Sequence, residues 1–269
     1  MRIRLGHVTH IWAQRLLPEV LREIAEIGYR GVELFTSNVS AYYDNPSGFG
    51  ELLSANGLAL SSVYFGGYFV DLARRDEQVE EAGRAARFLK ALGASHLIVG
   101  EASGVVQGEV DYAGIGQTLN RVGGRCLEFG VLACFHPHMG SVVENREQTR
   151  RLFDATDPQR IFFCLDTGHI AKGGADPVEV TRTYLDRLRF VHVKDMRDNQ
   201  FVEMGRGTID HDSIFAMLRK IDYDGWILPE IPVSPATEPT PKQNATISYR
   251  YLLDKLGDAV KDRQKGGLR

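Results

Sequence analysis

The chain has only three cysteines in 269 residues, an odd number, widely separated at Cys126, Cys134 and Cys164. They lie in apolar segments and supply no disulfide framework, so they read as reduced core thiols. No apolar run approaches the ~18–20 residues that a transmembrane helix needs. Met1-Arg2-Ile3-Arg4-Leu5 reads as the start of a strand and not as a signal peptide. These absences predict a cytoplasmic protein without a membrane partner. Charge of one sign is also lacking: the net charge is -3 and the isoelectric point about 6.3, which excludes a broad basic surface for nucleic acid. Without a secretion signal, the glycosylation patterns Asn38-Val39-Ser40 and Asn244-Ala245-Thr246 carry no meaning. Neither a GxGxxG nor a Walker A loop follows the first strand, which runs into Thr9-His10-Ile11-Trp12.

What the chain does have is alternation. Short apolar runs at Ile3–Val8, Gly31–Phe35, Leu58–Phe65, His96–Val99, Val131–Phe135, Ile161–Leu165, Phe190–Val193 and Trp226–Glu230 predict strands. Between them apolar residues recur at helical spacing, as in Val20-Leu21-Ile24-Ile27 and Val79-Ala82-Ala86-Leu89. Glycine closes several helices ahead of the next strand, at Gly28, Gly57, Gly93, Gly130 and Gly225. Asp157-Pro158 and Asp176-Pro177 read as helix starts. Units of roughly 30 residues, with no linker between them, predict an α/β fold: a single (β/α)8 TIM barrel spanning residues 1–269. An open doubly wound sheet, usually with fewer strands and often a phosphate loop, fits less well. The proline-rich stretch 229–241 is expected to be a long loop after the eighth strand.

In such a barrel the C-terminal strand ends hold the chemistry. Three successive strands end in candidate ligands: Asp166 with His169 in Leu165-Asp166-Thr167-Gly168-His169, His192 in Val191-His192-Val193-Lys194-Asp195, and Glu230 after Trp226-Ile227-Leu228-Pro229. Two carboxylates and an imidazole suit one Mn²⁺, Co²⁺, Mg²⁺ or Zn²⁺ ion, and the lack of thiolate disfavours a closed structural zinc site. Buried ion pairs with Lys194 and Arg206 are the structural alternative. The turn after the fifth strand, His136-Pro137-His138-Met139-Gly140, adds two histidines and leads to Glu144. Glu33 is an acid inside an apolar strand, where burial is costly unless the group is paired or used. His7 and His10 flank the end of the first strand, where packing and substrate contact both fit. His96 starts its strand, on the wrong rim, and His211 is expected to be a solvated helix-start residue.

These motifs, with Gly205-Arg206-Gly207-Thr208-Ile209-Asp210, resemble the xylose isomerase-like TIM-barrel superfamily, which includes sugar isomerases, ketose 3-epimerases, inosose dehydratases and AP endonucleases. The resemblance covers the whole chain. It implies one divalent metal ion held by a strand-5 glutamate, Asp166, His192 and Glu230. The chain departs at strand 5, where Leu132-Ala133-Cys134-Phe135 holds no glutamate. Glu144 is the expected fourth ligand, with His136 as its substitute, because the turn is most similar to that of the inosose dehydratases. The departure puts the epimerases' two-glutamate proton shuttle in doubt. The resemblance further implies a sugar or cyclitol substrate and a homodimer or homotetramer.

The implied chemistry is proton removal beside a carbonyl through an enediolate, by an isomerase or epimerase acting on a keto sugar or, alternatively, by an inosose (2-keto-myo-inositol) dehydratase. Glu230 or His169 is expected to be the base. His136 and Lys194 are further catalytic candidates, and His138, Arg206, Glu33 and His10 are candidate substrate contacts. Lys194 paired with Asp195 or Glu230, and Arg206 free in solvent, are the structural readings of those two residues. Trp12, Phe35, Tyr64, Phe65, Tyr68 and Phe69 stand near strand ends and predict an apolar wall or ordinary packing. The AP-endonuclease branch requires histidines after strands 2 and 3 and an Asp-x-His after strand 7. No histidine lies between His10 and His96, and Phe201-Val202-Glu203-Met204-Gly205 stands in place of the latter. A non-catalytic sugar-binding barrel would bind no metal.

Overall fold

A computed structural model describes residues 1–12, 15–102, 104, 106, 108–230 and 239–260. The strands are β1 (Arg2–Val8), β2 (Gly31–Phe35), β3 (Ala59–Gly67), β4 (His96–Glu101), β5 (Leu132–Phe135), β6 (Ile161–Asp166), β7 (Leu188–Val193), β8 (Asp195–Arg197), β9 (Gln200–Val202) and β10 (Asp224–Pro229). The helices are α1 (Leu17–Ile27), α2 (Thr36–Val39), α3 (Pro46–Ser54), α4 (Arg75–Ala91), α5 (Tyr112–Leu127), α6 (Arg146–Asp154), α7 (Thr167–Lys172), α8 (Pro177–Thr183), α9 (His211–Lys220) and α10 (Pro241–Leu256). Parallel pairing in the order β1-β10-β7-β6-β5-β4-β3-β2 closes the barrel, and β8-β9 is a separate antiparallel hairpin. The expected (β/α)8 fold is therefore present, with each predicted strand within a few residues of its place. Most of the loop expected after the last barrel strand lies outside the described residues.

Period-two alternation sorts the side chains. Phe162, Cys164, Phe190, Trp226 and Leu228 turn inward with Val8, Ile98 and Cys134 and fill the barrel, while Phe163, Leu165 and Val191 face the helices. One step further along the inward rows stand Asp166, His192 and Glu230. Register places Asp166 opposite His192 across β6–β7 and Leu228 opposite His192 across β7–β10, so the inward chemistry gathers at the C-terminal rim.

Local departures have simple causes. Gly28, Gly57, Gly93 and Gly130 take positive φ where their helices stop. Gly225 does not; it belongs to β10, and Asp222 makes the positive-φ turn before it. Asp157-Pro158 opens a turn, in which Asp157 accepts the Gln159 N–H at 2.8 Å, and not a helix. Asp176 caps α8 as expected, accepting from Val178 N–H. The cysteines are buried and free. Among the described residues no helix is long and apolar enough to cross a membrane.

His7 and His96 are packed core histidines. Burial pulls both down to about 4, helped at His96 by the positive charges of Arg4 and Arg189. Each folded-state value lies below the unfolded one. Stability from keeping these rings neutral is thus complete above pH 6.5 and is lost as pH falls towards 4, by up to roughly 3 kcal/mol each. The urea midpoint of metal-free protein is expected to drop markedly between about pH 7.5 and about pH 5. Equal midpoints would contradict this.

Candidate metal centre

The Asp166-Thr167-Gly168-His169 segment works as a strand-to-helix joint. Asp166 ends β6 in extended geometry and caps α7, its Oδ1 accepting the His169 N–H at 2.8 Å. The cap uses the backbone N–H of His169 and so fixes where that residue starts relative to Asp166. Thr167 Oγ1 donates to Lys194 O at 2.7 Å and accepts Lys194 N–H at 2.9 Å, tying the joint to the end of β7. Gly168 is required by that approach, since a Cβ there would collide with Lys194.

Ligand atoms of His136, Asp166, His169 and Glu230 lie within 4.8 Å of one another. His192 belongs to the same cluster: its Nδ1 stands 3.3 Å from Glu230 Oε2 and 3.9 Å from Asp166 Oδ2. Its Nε2 meets Glu33 Oε2 at 3.1 Å, and Ser62 Oγ donates to the same carboxylate oxygen at 2.7 Å. Glu33 thus fixes the imidazole so that Nδ1 faces the carboxylates, as an outer partner does for a ligating histidine. His136 Nε2 lies 3.4 Å from Asp166 Oδ2. Among the described residues, buried His136 Nδ1, His192 Nδ1 and both ring nitrogens of His169 have no hydrogen-bond partner. Unpartnered nitrogens around the buried Asp166 and half-buried Glu230 carboxylates are the donor set a divalent cation takes. A second possible arrangement, His136 with Cys164 and His192, involves a thiol that burial pushes far up and keeps protonated.

Lys194 carries the positive charge at the centre of the cluster. Its Nζ lies 2.7 Å from Asp166 Oδ2 and 2.9 Å from Glu230 Oε2. Burial is the largest single influence and would raise both carboxyls, but Lys194 together with His169 and His136 at Asp166, and with His192 and His10 at Glu230, outweighs it, so both acids stay well below the usual range. Burial works against the ammonium, and the two acids overcome it and raise it. His192 is likewise opposed by burial but raised to about 10 by Glu33 and Glu230. His169 goes the other way, held well below its ordinary value by burial and then by Lys194, and is neutral.

Above the cluster is a cavity of about 300 Å³ whose lining includes Glu33, Phe35, Tyr64, Glu101, His136, His138 and Glu230. His138 Nδ1 donates to Met139 O at 2.6 Å, and the ring packs on His169 at a centroid distance of 3.8 Å. His10 does not line this cavity but a neighbouring one with Trp12 and Phe35, and its Nε2 lies 3.9 Å from Glu230 Oε1.

Several expected residues stand elsewhere. Glu144 is outside the clustered donors: the turn at Gly140, with φ 74°, aims its N–H at Glu144 Oε2, 2.6 Å away. His136, the substitute, occupies the strand-5 position in the cluster. Arg206 is exposed beyond the β8–β9 hairpin and does not line the cavity. Lys194 pairs with Asp166 and Glu230 and not with Asp195. Asp195 instead accepts N–H groups from Met196, Gly205, Gly207 and Ile209 at 2.8–3.4 Å and shapes the Arg206 loop. Replacing it with alanine strands these donors and is expected to cost on the order of 3 kcal/mol, read as a lower urea midpoint. His211 is buried, not solvated, with Nε2 3.1 Å from Lys194 O and Nδ1 3.2 Å from Tyr251 Oη. Of the aromatics, Phe35 and Tyr64 line the cavity, Trp12, Phe65 and Phe69 are buried in the core, and Tyr68 is exposed. Glu101 was not singled out by sequence, though an acid closing the apolar run Leu97-Ile98-Val99-Gly100 carries the signal that marked Asp166 and Glu230.

Comparison with known proteins agrees with this fold. Inosose dehydratase of Geobacillus kaustophilus is 31% identical over 91% of this chain and 86% of its own length. Two solved structures share the fold: a sugar phosphate isomerase/epimerase from Parabacteroides distasonis, with TM-score 0.77, 21% identity and 93% of each chain covered, and the zinc-binding IolI protein, with TM-score 0.77, 16% identity and coverage of 96% of this chain and 99% of that one. The family model for the xylose isomerase-like TIM barrel matches residues 21–254, and the chain belongs to that family.

Proposed function

We propose that the protein is a divalent-metal-dependent enzyme that removes the proton beside the carbonyl of a keto cyclitol or keto sugar, and that its reaction is the loss of water from an inosose. The observation that carries this reading is the convergence of Asp166, His136, His169, His192 and Glu230 at one end of the barrel, below a cavity of about 300 Å³. The similarity to an inosose dehydratase over most of both chains supports the choice of substrate.

Asp166, Glu230, His192 through Nδ1, and His136 would hold the metal, which when bound polarises the substrate carbonyl as a Lewis acid. Glu33 keeps His192 turned towards it. Lys194 keeps Asp166 and Glu230 ionised, and His138 lines the cavity to place hydroxyls. The Glu230 carboxylate lines the cavity and takes the proton from the carbon beside the carbonyl. The electron pair of that C–H bond forms the enolate, and its collapse expels the neighbouring hydroxyl. The proton held by Glu230 leaves with that hydroxyl as water. One carboxylate serves both transfers on one face of the ring. That suits a site where His136 stands at the strand-5 position, which the epimerases fill with a second glutamate.

Incubation of manganese-loaded protein with inosose in D2O, followed by NMR and mass spectrometry, tests this. The expected product is lighter by one water. Deuterium uptake with a changed configuration and no loss of water would make the enzyme an epimerase or isomerase, and an unchanged inosose together with unchanged keto sugars would sink both readings.

A further inference from the structure

The cavity wall opposite β7 and β10 holds a group with no assigned role. Tyr64 is inward-facing on β3, with its ring packed edge-on against His136 at 5.7 Å and tilted against Phe35 at 5.1 Å. Its hydroxyl lies over Gly100 of β4, where a Cβ would collide with it, so a glycine on the neighbouring strand makes the space for the phenol. Among the described residues the hydroxyl has no hydrogen-bond partner. The other polar groups of the lining are committed or are acceptors: Glu33 receives Ser62 and His192, Ser141 Oγ donates to His138 O at 2.8 Å, and Glu101 accepts the Phe69 N–H at 2.9 Å. A half-buried phenol that lines the cavity beside carboxylates and is bonded to none of them is free to donate to an acceptor from outside the protein.

We propose that the Tyr64 hydroxyl donates a hydrogen bond to an oxygen of the bound polyol, fixing the ring against the β3 wall while the opposite face meets Glu230. This rests on the reading of the cavity as a polyol site. The acceptors Glu33, Glu101 and Glu230 suit substrate hydroxyls acting as donors; Tyr64 supplies a donor to the lone pairs of a substrate hydroxyl oxygen. The role is binding and positioning, without proton transfer. Burial and the nearby Glu230 and Glu33 carboxylates disfavour the phenolate, so the group remains a donor throughout turnover.

The test compares wild type with Tyr64→Phe, both manganese-loaded, in inosose turnover and in calorimetric binding of myo-inositol, which lacks the reacting carbonyl. Phenylalanine keeps the ring packing, so metal content and melting temperature are expected to be unchanged. KM and the myo-inositol Kd are each expected to rise about tenfold, with kcat changing less. Normal turnover with an unchanged KM and Kd in the variant would overturn the Tyr64 assignment and leave the proposed reaction standing. Myo-inositol binding weakened in the variant, with no turnover of inosose by wild type, would uphold Tyr64 and reject the reaction. If wild type neither binds myo-inositol nor turns over inosose, both fail.

Discussion

Asp166→Asn is expected to abolish metal retention and to lower kcat/KM by at least ~10³ while leaving the fold intact. The asparagine keeps the Oδ1 acceptor that caps the His169 N–H, so α7 still starts in place. What disappears is the negative charge on the oxygen that meets Lys194 at 2.7 Å and faces His136 and His192. A Lewis-acid contribution of about 4 kcal/mol corresponds to a thousandfold in rate. Steady-state turnover, elemental analysis and circular dichroism on the same preparation separate loss of the centre from loss of the fold. Metal content and activity within threefold of wild type would remove Asp166 from the centre.

Lys194→Met acts on the same acids from the other side. The buried ammonium neutralises Asp166 and Glu230, and methionine would leave two carboxylates close together in the barrel mouth with no counter-charge from this residue. Removing one partner of a buried ion cluster costs roughly 3–5 kcal/mol, so the metal-free variant is expected to unfold at a clearly lower urea concentration than wild type. Added Mn²⁺ supplies positive charge to the same acids and is expected to restore more of the midpoint in the variant than it adds to wild type. Activity is expected to fall about 10²-fold even when metal-loaded, because Glu230 loses the contact that positions it. An unchanged midpoint in the metal-free variant would mean that Lys194 does not hold the acids together.

The barrel and the identity of the central residues were legible because two simple periodicities coincide in this chain. Apolar strands of period two end in Asp166, His192 and Glu230, and a parallel barrel carries all such endings to one rim. Glu33 was legible as an acid that an apolar strand would not hold idle, and its bond to His192 supplies the partner. The residues that the structure places apart from the expected positions fall where the chain leaves regular structure. Nothing in the spacing of Glu144 tells which way a loop carboxylate turns, and the Gly140 N–H captured it. Arg206 follows glycine in a loop that Asp195 ties down through its backbone, which fixes the path of the chain without drawing the guanidinium into the cavity. His211 looked solvated because its neighbours Asp210 and Asp212 are exposed, whereas its ring turns inward under Lys194 and Tyr251. Tyr64 resembled ordinary aromatic packing because the feature that singles it out, a hydroxyl without an acceptor, exists only in three dimensions.

The most direct test of the centre is the metal content of protein stripped with chelator, reloaded with Mn²⁺, Co²⁺ or Zn²⁺ and dialysed, measured beside Asp166→Asn treated identically. The expected result is about one ion per wild-type chain and almost none in the variant. No retained ion in wild type, or equal retention in both proteins, would contradict a metal site built on Asp166, His192 and Glu230.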